Sequence, residues 1–564
     1  MELNKKEIAA QLKEAANLLD VLAEDEFRAK AFMNAARQIE AFEGDILDLL
    51  KEDRLTDIRG VGKSVAAEIA YLKEQEYLPV LEELYLKVPE DVRDLFRVSG
   101  LGSKKISALW QNGISGLAGL IEAVEDGRVA ALKGFGAKSA QKFAEAARFA
   151  IEAKRRMRLN IAEALNNALL SLVQERLPEV RLEPAGEYRR CCETVESLEF
   201  VVTGVKIETL FAALNDVGDK ISCEAEVITL ELEGRLIHFT LVEESHFGTT
   251  QLYKTGNALY LEGLEEKARD RGLELSPEGL VQDEKVLATP DEKTVYAFLG
   301  LEPLTPELRE EKDPEYRKLI ILEDIHGQIH NHSSWSDAVH SIREMVEACR
   351  SAGFSYLAMA DHSRTSYYAN GLSIERVYAQ AREIAEIRQE LLDEGSDFEL
   401  LHGIEIDIMT DGSLDYPDEV LDILDYTVVS VHQNFTLSKE DQTRRIVRAV
   451  EHPKAKILAH PTGRLLLRRP EYEVDLDQVI DACARTGTVI EINANPYRLD
   501  LDWRWVKKAK ARGCKFSINP DAHHVDGFKD LKYGVMMARK AGLSQEDVIN
   551  TAPDAKTFLA KLKP

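Results

Sequence analysis

Cysteine is scarce in this chain, and long apolar runs are missing. Six cysteines are spread over 564 residues: Cys191, Cys192, Cys223, Cys349, Cys483 and Cys514. None forms a C-x-x-C pair, which argues against a zinc knuckle or a thioredoxin-like site and for reduced core thiols. No apolar stretch approaches the roughly 20 residues that span a bilayer. The opening stretch, MELNKKEIAAQLKEAANLL, reads as an amphipathic helix without the apolar segment and small-residue cleavage site of a secretion signal. A soluble, cytoplasmic protein with no membrane partner is expected. Positive charge is also short: 72 Lys and Arg face 99 Asp and Glu, a net charge of -27. Proteins that bind nucleic acid usually carry a basic footprint. Any such contact here must be local, through backbone amides, metal ions or a small cluster such as Lys154-Arg155-Arg156-Met157-Arg158. What is abundant is apolar side chain, 45% of the chain, enough for several cores. The length suggests about three or four domains.

Residues 1 to about 175 carry apolar residues at helical spacing, as in Ile8, Leu12, Ala15, Leu19 and Leu22. Three short glycine turns interrupt them: Gly60-Val61-Gly62-Lys63, Gly100-Leu101-Gly102-Ser103-Lys104 and Gly134-Phe135-Gly136-Ala137-Lys138. Each places an apolar residue between two glycines, a lysine soon after, and a helical pattern beyond. Glycine lets the backbone turn tightly and approach a ligand. The next helix offers unpaired N–H groups to a phosphate. One such turn is a weak signal, since a helix end gives the same letters. Three within one region resemble helix-hairpin-helix motifs, which grip the DNA backbone without reading sequence.

Beyond Arg181 the pattern changes. Leu198 to Val202 and Val227 to Leu232 read as strands, and Ile207 to Leu214 between them as a helix, an α+β module. A smaller helical module follows at about residues 258–302, then a charged stretch from Arg309 to Lys318.

Eleven of the 13 histidines lie beyond Asp324. They fall at the ends of apolar strands that alternate with helical stretches, a β-α-β-α order. His330 and His332 are spaced to share one face of a strand. Asp337 follows in a loop, then a helix from Ser341 to Ala352. Further strands end at Asp361-His362, Glu405-Ile406-Asp407, His432, His460 and Asp521-Ala522-His523. Polar residues at the C-terminal ends of barrel strands are where such folds place their chemistry. One histidine after a strand is usually structural, but nine metal-capable residues at successive strand ends are a ligand set. Imidazole-rich sites suit zinc, manganese or iron better than magnesium. Arg364 and Arg464, just after two of these motifs, are placed either to clamp a phosphate or to form structural ion pairs.

The whole chain resembles the bacterial family X DNA polymerases with a C-terminal PHP (polymerase and histidinol phosphatase) domain. The segment Ala185-Gly186-Glu187-Tyr188-Arg189-Arg190-Cys191-Cys192-Glu193-Thr194 matches the family's G-S-x-R-R-x-x-E-T, and Phe247-Gly248 and Tyr253-Lys254-Thr255-Gly256 are similar to its F-G and Y-F-T-G patches. The resemblance implies a multidomain order. Residues 1–85 form a helical head, 86–175 a fingers-like region with two further hairpins, and 176–257 an α+β nucleotidyltransferase-like palm. Residues 258–308 form a thumb, 309–323 a linker, and 324–564 a PHP domain folded as a distorted (β/α)7 barrel. It also implies three divalent ions, manganese foremost, with zinc or iron as alternatives. His330, His332, Glu405 and Asp521 would hold one ion, Glu405, His432 and His460 a second, and Asp337, His362 and His523 the third. A water between two cations loses much of its pKa and attacks phosphorus as hydroxide.

The chain departs from the family in its palm. The family's paired aspartates in G-D-x-D become Ser197 and Glu199, and a third aspartate becomes His238. Glu187 stands where triphosphate would lie. A hydroxyl, a lengthened carboxylate and an imidazole are a poor set for magnesium, so the polymerase site reads as degenerate. Some relatives use a lysine after the first hairpin as a Schiff-base nucleophile. Glu68 occupies that place, and only Lys63 or Lys73 could substitute. The expected function is a 3′-5′ exonuclease or 3′-end-cleaning phosphodiesterase of DNA repair, acting on gapped, nicked or 3′-recessed DNA. The alternatives are a working gap-filling polymerase with proofreading, a histidinol-phosphatase-like enzyme, and a non-enzymatic DNA scaffold.

Overall fold

The computed structural model describes residues 5–42, 46–73, 77–315 and 317–562. The chain separates into two compact units, residues 1–154 and 155–564.

The first unit is helical. Lys5–Leu22 buries Ile8, Leu12, Ala15 and Leu19 in a core shared with Ala29, Phe32, Ala36 and Ile39 of Glu26–Glu40. Asp25 caps the latter helix, accepting from the Arg28 N–H at 2.9 Å. The three glycine turns share one geometry. Gly60, Gly100 and Gly134 sit at φ of +90°, +83° and +88°, left-handed backbone that L side chains disfavour. The apolar residue after each, Val61, Leu101 or Phe135, is buried. Its N–H closes the turn onto the carbonyl of Ile58, Val98 or Leu132 at 3.0, 3.1 and 3.1 Å. A helix then begins: Lys63–Ala70, Ser103–Gln111 and Ala137–Arg155.

The second unit holds a mixed sheet, a thumb-like segment and a barrel. Leu159–Arg176, which falls within the stretch expected to be fingers, packs Ala162, Leu169 and Val173 into the core of a five-stranded sheet. The sheet runs Arg181–Ala185, Ser197–Thr203, Arg235–Leu241, Val227–Leu232, Lys220–Glu224 in space. Ser197–Thr203 and Arg235–Leu241 pair in parallel, which sets Glu199 beside His238. Beyond the sheet, Ala258–Arg269, a small three-stranded sheet and Glu292–Phe298 enclose a core of Leu252, Tyr260, Leu264, Val295 and Tyr296. The stretch expected to be a linker is not slack at its start. Arg309 is buried and donates twice to Glu292, at 2.6 and 2.9 Å. Glu310 accepts from Arg190 at 3.0 Å and from Lys540.

The barrel has seven parallel strands in chain order: Gly327–Asn331, Tyr356–His362, Glu399–Asp407, Tyr426–Ser430, Ile457–Leu458, Val489–Asn493 and Phe516–Asn519. The His332 N–H reaches the Ala522 carbonyl at 2.9 Å, so first and last strands nearly meet. The strands are buried on both faces, because helices cover the outside. Ile342–Ser351 shows how these helices begin: Ser341 and Glu344 form a reciprocal capping box. Glycine appears where rings cross the strands. A Cβ at Gly403 would meet the Tyr426 ring and lie 2.7 Å from the Met359 carbonyl oxygen. Gly403→Ala should therefore destabilise the barrel by about 1–3 kcal/mol. A thermal unfolding midpoint equal to wild type would show that the Tyr426 ring can move aside.

Candidate metal centre

The barrel delivers its polar side chains from successive strand ends. His330 and His332 come from Gly327–Asn331 and the residue beyond, His362 from Tyr356–His362, Glu405 and Asp407 from Glu399–Asp407. His432 and His460 each lie two residues past a strand, and Asp521 and His523 follow Phe516–Asn519. Asp337 rises from the loop before Ile342–Ser351. The expectation that simple alternation puts His330 and His332 on one face needs correction. The strand register shifts between Gln328 and Asn331, and His330 has φ +59°. His460 and Asp521 also lie at positive φ, +26° and +52°. Non-glycine residues hold such backbone only where their surroundings over-determine it.

Glu405 is the hub. Its Oε1 lies 2.9 Å from His460 Nε2, 3.1 Å from His432 Nε2 and 3.4 Å from His330 Nε2. Its Oε2 lies 2.9 Å from His362 Nδ1 and 3.8 Å from His332 Nε2. Asp521 Oδ1 contacts His332 Nε2 at 3.1 Å and His330 Nε2 at 3.8 Å. Asp337 Oδ1 lies 3.3 Å from His523 Nε2 and 3.6 Å from His362 Nε2. All nine sequence-selected residues thus converge. Ligand atoms within 4.8 Å of one another fall into four overlapping groups: His332, Asp337, His362 and His523; His330, His332 and Glu405; His330, His460 and Asp521; and His362, Glu405 and His432. These proximity groups overlap the division implied by the resemblance without matching it: His332 also lies with Asp337, His362 with both Asp337 and Glu405, and His460 with His330 and Asp521.

The electrostatics follow from burial and proximity. Burial opposes the charge on Glu405, but His432, His330 and His362 hold its carboxyl well below the usual range. Burial likewise opposes charge on His432, and Glu405 with the hydrogen-bonded Asp407 overcomes it, raising the imidazole to about 10. His523 rises to about 9, against burial, through its hydrogen bond to Asp337 and the charge of Asp521. Burial, with neighbouring His523 and His362, drives His332 down to about 3.

Several supporting residues carry no ligand-like signature in the sequence. Glu491 Oε2 holds His330 Nδ1 at 2.5 Å, and Asp407 Oδ1 holds His432 Nδ1 at 2.8 Å. Carboxylates in this role fix the ring and raise its basicity toward a metal. Glu491 lies in the middle of Val489–Asn493, and an acidic side chain inside that apolar strand was the available signal. Asp361 binds no imidazole. It accepts from the N–H and hydroxyl of both Ser333 and Ser336 and from Gln380, fixing the loop before Asp337. Of the two arginines left between roles, Arg464 resolves as structural. It is buried and donates to Arg498 O at 3.0 Å, to Leu499 O and to Asp502 Oδ2 at 2.9 Å. Arg364 pairs with Asp415 at 2.9 Å and keeps an exposed side chain.

The other sequence-selected sites lie elsewhere. Gly62, Lys63, Gly102, Lys104, Gly136 and Lys138 lie at their helix starts, with no side-chain cap at Gly62 or Gly102. At the third hairpin Ser139 Oγ takes the Gly136 N–H at 3.0 Å. Glu68 caps the helix Pro79–Lys87 through the Val80 N–H at 3.1 Å and pairs with Arg28 at 3.4 Å. In the palm, Ser197 Oγ donates to Glu199 Oε1 at 2.9 Å, Lys254 pairs with Glu199 at 3.3 Å, and His238 Nδ1 meets Thr229 Oγ1 at 3.0 Å.

Family models match four parts of the chain: "Helix-hairpin-helix domain" over residues 4–78, "SAM-like Helix-hairpin-helix tandem" over 92–148, "DNA polymerase beta thumb" over 250–310, and "PHP domain" over 328–495. The chain is 33% identical over 579 aligned positions to the DNA polymerase/3′-5′ exonuclease PolX of Bacillus subtilis (strain 168), covering 99% of this chain and all of that one. The chain belongs to the family X DNA polymerases with a C-terminal PHP domain. The PHP part alone is also similar to probable phosphatases. One from Thermoanaerobacter sp. (strain X514) is 29% identical over 163 residues, 27% of this chain and 64% of its own. One from Syntrophotalea carbinolica is 24% identical over 233 residues, 39% of this chain and 90% of its own. Among the described residues of this family X member, no helix is long and apolar enough to cross a membrane.

The donor set fits the divalent ions expected of a PHP domain. His330 Nε2 and His362 Nδ1 are buried without an aligned hydrogen-bond partner, although carboxylate oxygens lie 3.4 and 2.9 Å away. Nitrogen and oxygen lone pairs that converge without pairing are arranged for a cation. Metal uptake must then displace protons from His432 and His523, whose values of about 10 and about 9 leave them charged at neutral pH. Because both values exceed the ordinary 6.5, their stabilisation of the metal-free protein is complete below that pH. It is lost as pH rises through about 9 to 10. Manganese titrated into chelator-stripped protein at pH 7 should release about one to two protons per chain, and affinity should rise with pH. Calorimetry in buffers of different ionisation enthalpy reads the count. Identical heats in all buffers would mean that these rings are already neutral.

Proposed function

We propose that the protein is a 3′-5′ exonuclease or 3′-end-cleaning phosphodiesterase of DNA repair, held on DNA by a polymerase body that no longer polymerises. The observation that carries this reading is the convergence of all nine PHP side chains in one cluster, with five histidines on Glu405, on a chain aligned end to end with a relative named DNA polymerase/3′-5′ exonuclease. His330, His332, Asp337, His362, Glu405, His432, His460, Asp521 and His523 would hold up to three ions, with manganese preferred over zinc or iron. Such ions activate water and neutralise the charge that builds on a phosphodiester. The chain's residues hold the ring orientations, through Glu491 and Asp407, and bury all of the cluster except its Asp337 and His523 side.

The palm supports loss of polymerisation. Glu199 leans over Gly186, where a Cβ would lie 2.8 Å from its Cγ, and Lys254 neutralises it. Glu187 is tied to Arg156 and the Glu196 N–H, each at 2.8 Å. Arg189 is spent on Glu292 and Arg190 on Glu310. A triphosphate would find its arginines paired and a carboxylate beside them. The lyase reading has equally little support, since Glu68 offers no amine.

A 5′-labelled primer–template incubated with and without dNTPs, in Mn2+ and in Mg2+, tests both halves. The 3′ end should shorten in Mn2+, and His332→Ala or Asp521→Ala should abolish this. Wild-type cleavage by both variants would reject the PHP site as its source. Extension should be absent in either metal, even at a one-nucleotide gap in the His332→Ala protein. Template-directed addition there would restore the polymerase reading.

The three hairpins of the helical unit are the proposed DNA grip, through exposed backbone N–H groups and Lys63, Lys104 and Lys138. Reversing these three lysines to glutamate should weaken DNA affinity at least roughly tenfold. The salt dependence should flatten by about one unit of slope for each phosphate no longer held. Cleavage of bis(p-nitrophenyl) phosphate should stay unchanged. Undiminished DNA affinity would assign the head a different partner.

A further inference from the structure

Two arginines and two tyrosines stand at the rim of the metal cluster with much of their binding capacity unused. Arg498 approaches Asp521 Oδ2 through Nε at 3.3 Å. That carboxylate is already committed to His332 and Asn493. The arginine is mounted rigidly. Its carbonyl accepts from the buried Arg464 at 3.0 Å, and its own N–H donates to Asn495 O at 2.8 Å. Arg469 donates to one backbone oxygen, Gly463 O, at 3.0 and 2.6 Å, and lies over the Phe435 ring. Among the described residues it makes no ion pair. Burial, and then the charge of Arg498, push its guanidinium below the ordinary value. Arg498 thus reaches a ligand carboxylate and Arg469 the loop that follows His460, two cations in a chain that carries a net charge of -27. Guanidiniums in such a place suit a phosphate.

Across the mouth stands the loop after His362. Tyr367 is 83% exposed and Tyr368 70% exposed. The Tyr368 ring lies 6.4 Å from both the His362 and the His432 rings, over the cluster. The backbone beneath is pinned. Thr365 N–H donates to Asp415 at 2.9 Å, Ser366 Oγ to Asp407 Oδ2 at 2.7 Å, and Asn370 Nδ2 to the Trp335 and Ser336 carbonyls at 3.2 Å. Gly371 packs against the Ser363 carbonyl with no room for a side chain. Large aromatic rings left in water on an immobile backbone are a stacking surface that costs little entropy to use.

Resting on the phosphodiesterase reading above, we propose that this rim is the subsite for an unpaired 3′ end: Arg498 and Arg469 take the terminal phosphodiester, and Tyr368 and Tyr367 stack the last bases. A base stacks on tyrosine by its π face whatever its identity, so the subsite takes single strands without sequence preference. It also requires a polymer. A small phosphate ester would use the arginines and leave the tyrosines idle.

The test separates the two halves with two substrates and one binding signal. In Mn2+, the full-length Tyr367→Ala/Tyr368→Ala protein should show an oligonucleotide KM raised about tenfold, with kcat within about twofold. Its cleavage of bis(p-nitrophenyl) phosphate should fall far less than its cleavage of the oligonucleotide. Arg469→Ala should weaken both substrates, and Arg469→Lys should recover part of the loss. Separately, wild-type protein in Ca2+ should quench 2-aminopurine at the 3′ terminus of a single-stranded oligonucleotide made with a nuclease-resistant terminal linkage, and the double tyrosine variant should not. A tyrosine variant with wild-type oligonucleotide KM and intact quenching overturns the base platform. Arg469→Ala with wild-type kinetics on both substrates overturns the phosphate clamp. Wild-type protein that cleaves neither substrate removes the phosphodiesterase reading, and the quenching result then judges the rim alone.

Discussion

A single buried carboxylate organises the catalytic half of this protein. Glu405 is 1% exposed and lies within 4 Å of nitrogens from five histidines. An ionised carboxylate in so dry a place costs several kcal/mol unless it is paired and hydrogen-bonded. The rings supply that pairing only if each strand end is held in register, so the demands of one residue spread through the barrel. His330 must leave regular strand geometry to reach it. Glu491 and Asp407 must fix the far nitrogens of His330 and His432. Asp361 must fix the loop that carries Asp337 toward His362 and His523. The near-closure of the sheet, through the His332 N–H and the Ala522 carbonyl, brings the last two ligands back to the first two.

The palm has met the opposite problem. Several of its charged side chains are partly or wholly buried, and buried charges left alone would destabilise the fold. They have been neutralised internally. Glu292 sits between Arg189 and Arg309 in two bidentate pairs, and its carboxyl is held near 2 because those guanidiniums outweigh its burial. Arg190, Glu310 and Lys540 join palm, thumb exit and barrel in one network. Lys532 and Tyr533 of the barrel both reach Glu163 on the palm helix. These pairs fasten the palm to the barrel.

Sequence reasoning is strongest where chemistry and backbone geometry impose the same residue. The glycine turns are legible because only glycine tolerates the left-handed backbone at Gly60, Gly100 and Gly134. The nine PHP side chains are legible because strand ends recur at regular intervals and ligand types are few. The partition among ions is not, since it depends on how far each ring leans across the barrel: His362 leans toward both Asp337 and Glu405. Arg464, by its place after His460, suits a phosphate clamp and a structural ion pair equally well. Whether such a side chain turns outward or inward depends on Asp502 and the Leu499 carbonyl, 38 and 35 residues away. Glu491 escapes sequence reasoning for a related reason. A carboxylate that holds a ligand from behind has the same spelling as any other carboxylate inside a strand.

The acidic balance of the chain also acquires a physical sense. The rim arginines and the hairpin lysines are few, and the cluster adds Asp337, Glu405 and Asp521, with Asp407 and Glu491 behind them. Without cations this mouth repels a phosphodiester. With cations it attracts one, because each dication outweighs the carboxylate nearest to it. Electrostatic attraction at the reacting centre therefore depends on metal occupancy, while the head contributes backbone N–H groups that carry no net charge. The acid excess of the chain is thereby compatible with a phosphodiester at the metal centre, because attraction there comes from bound cations and not from net charge.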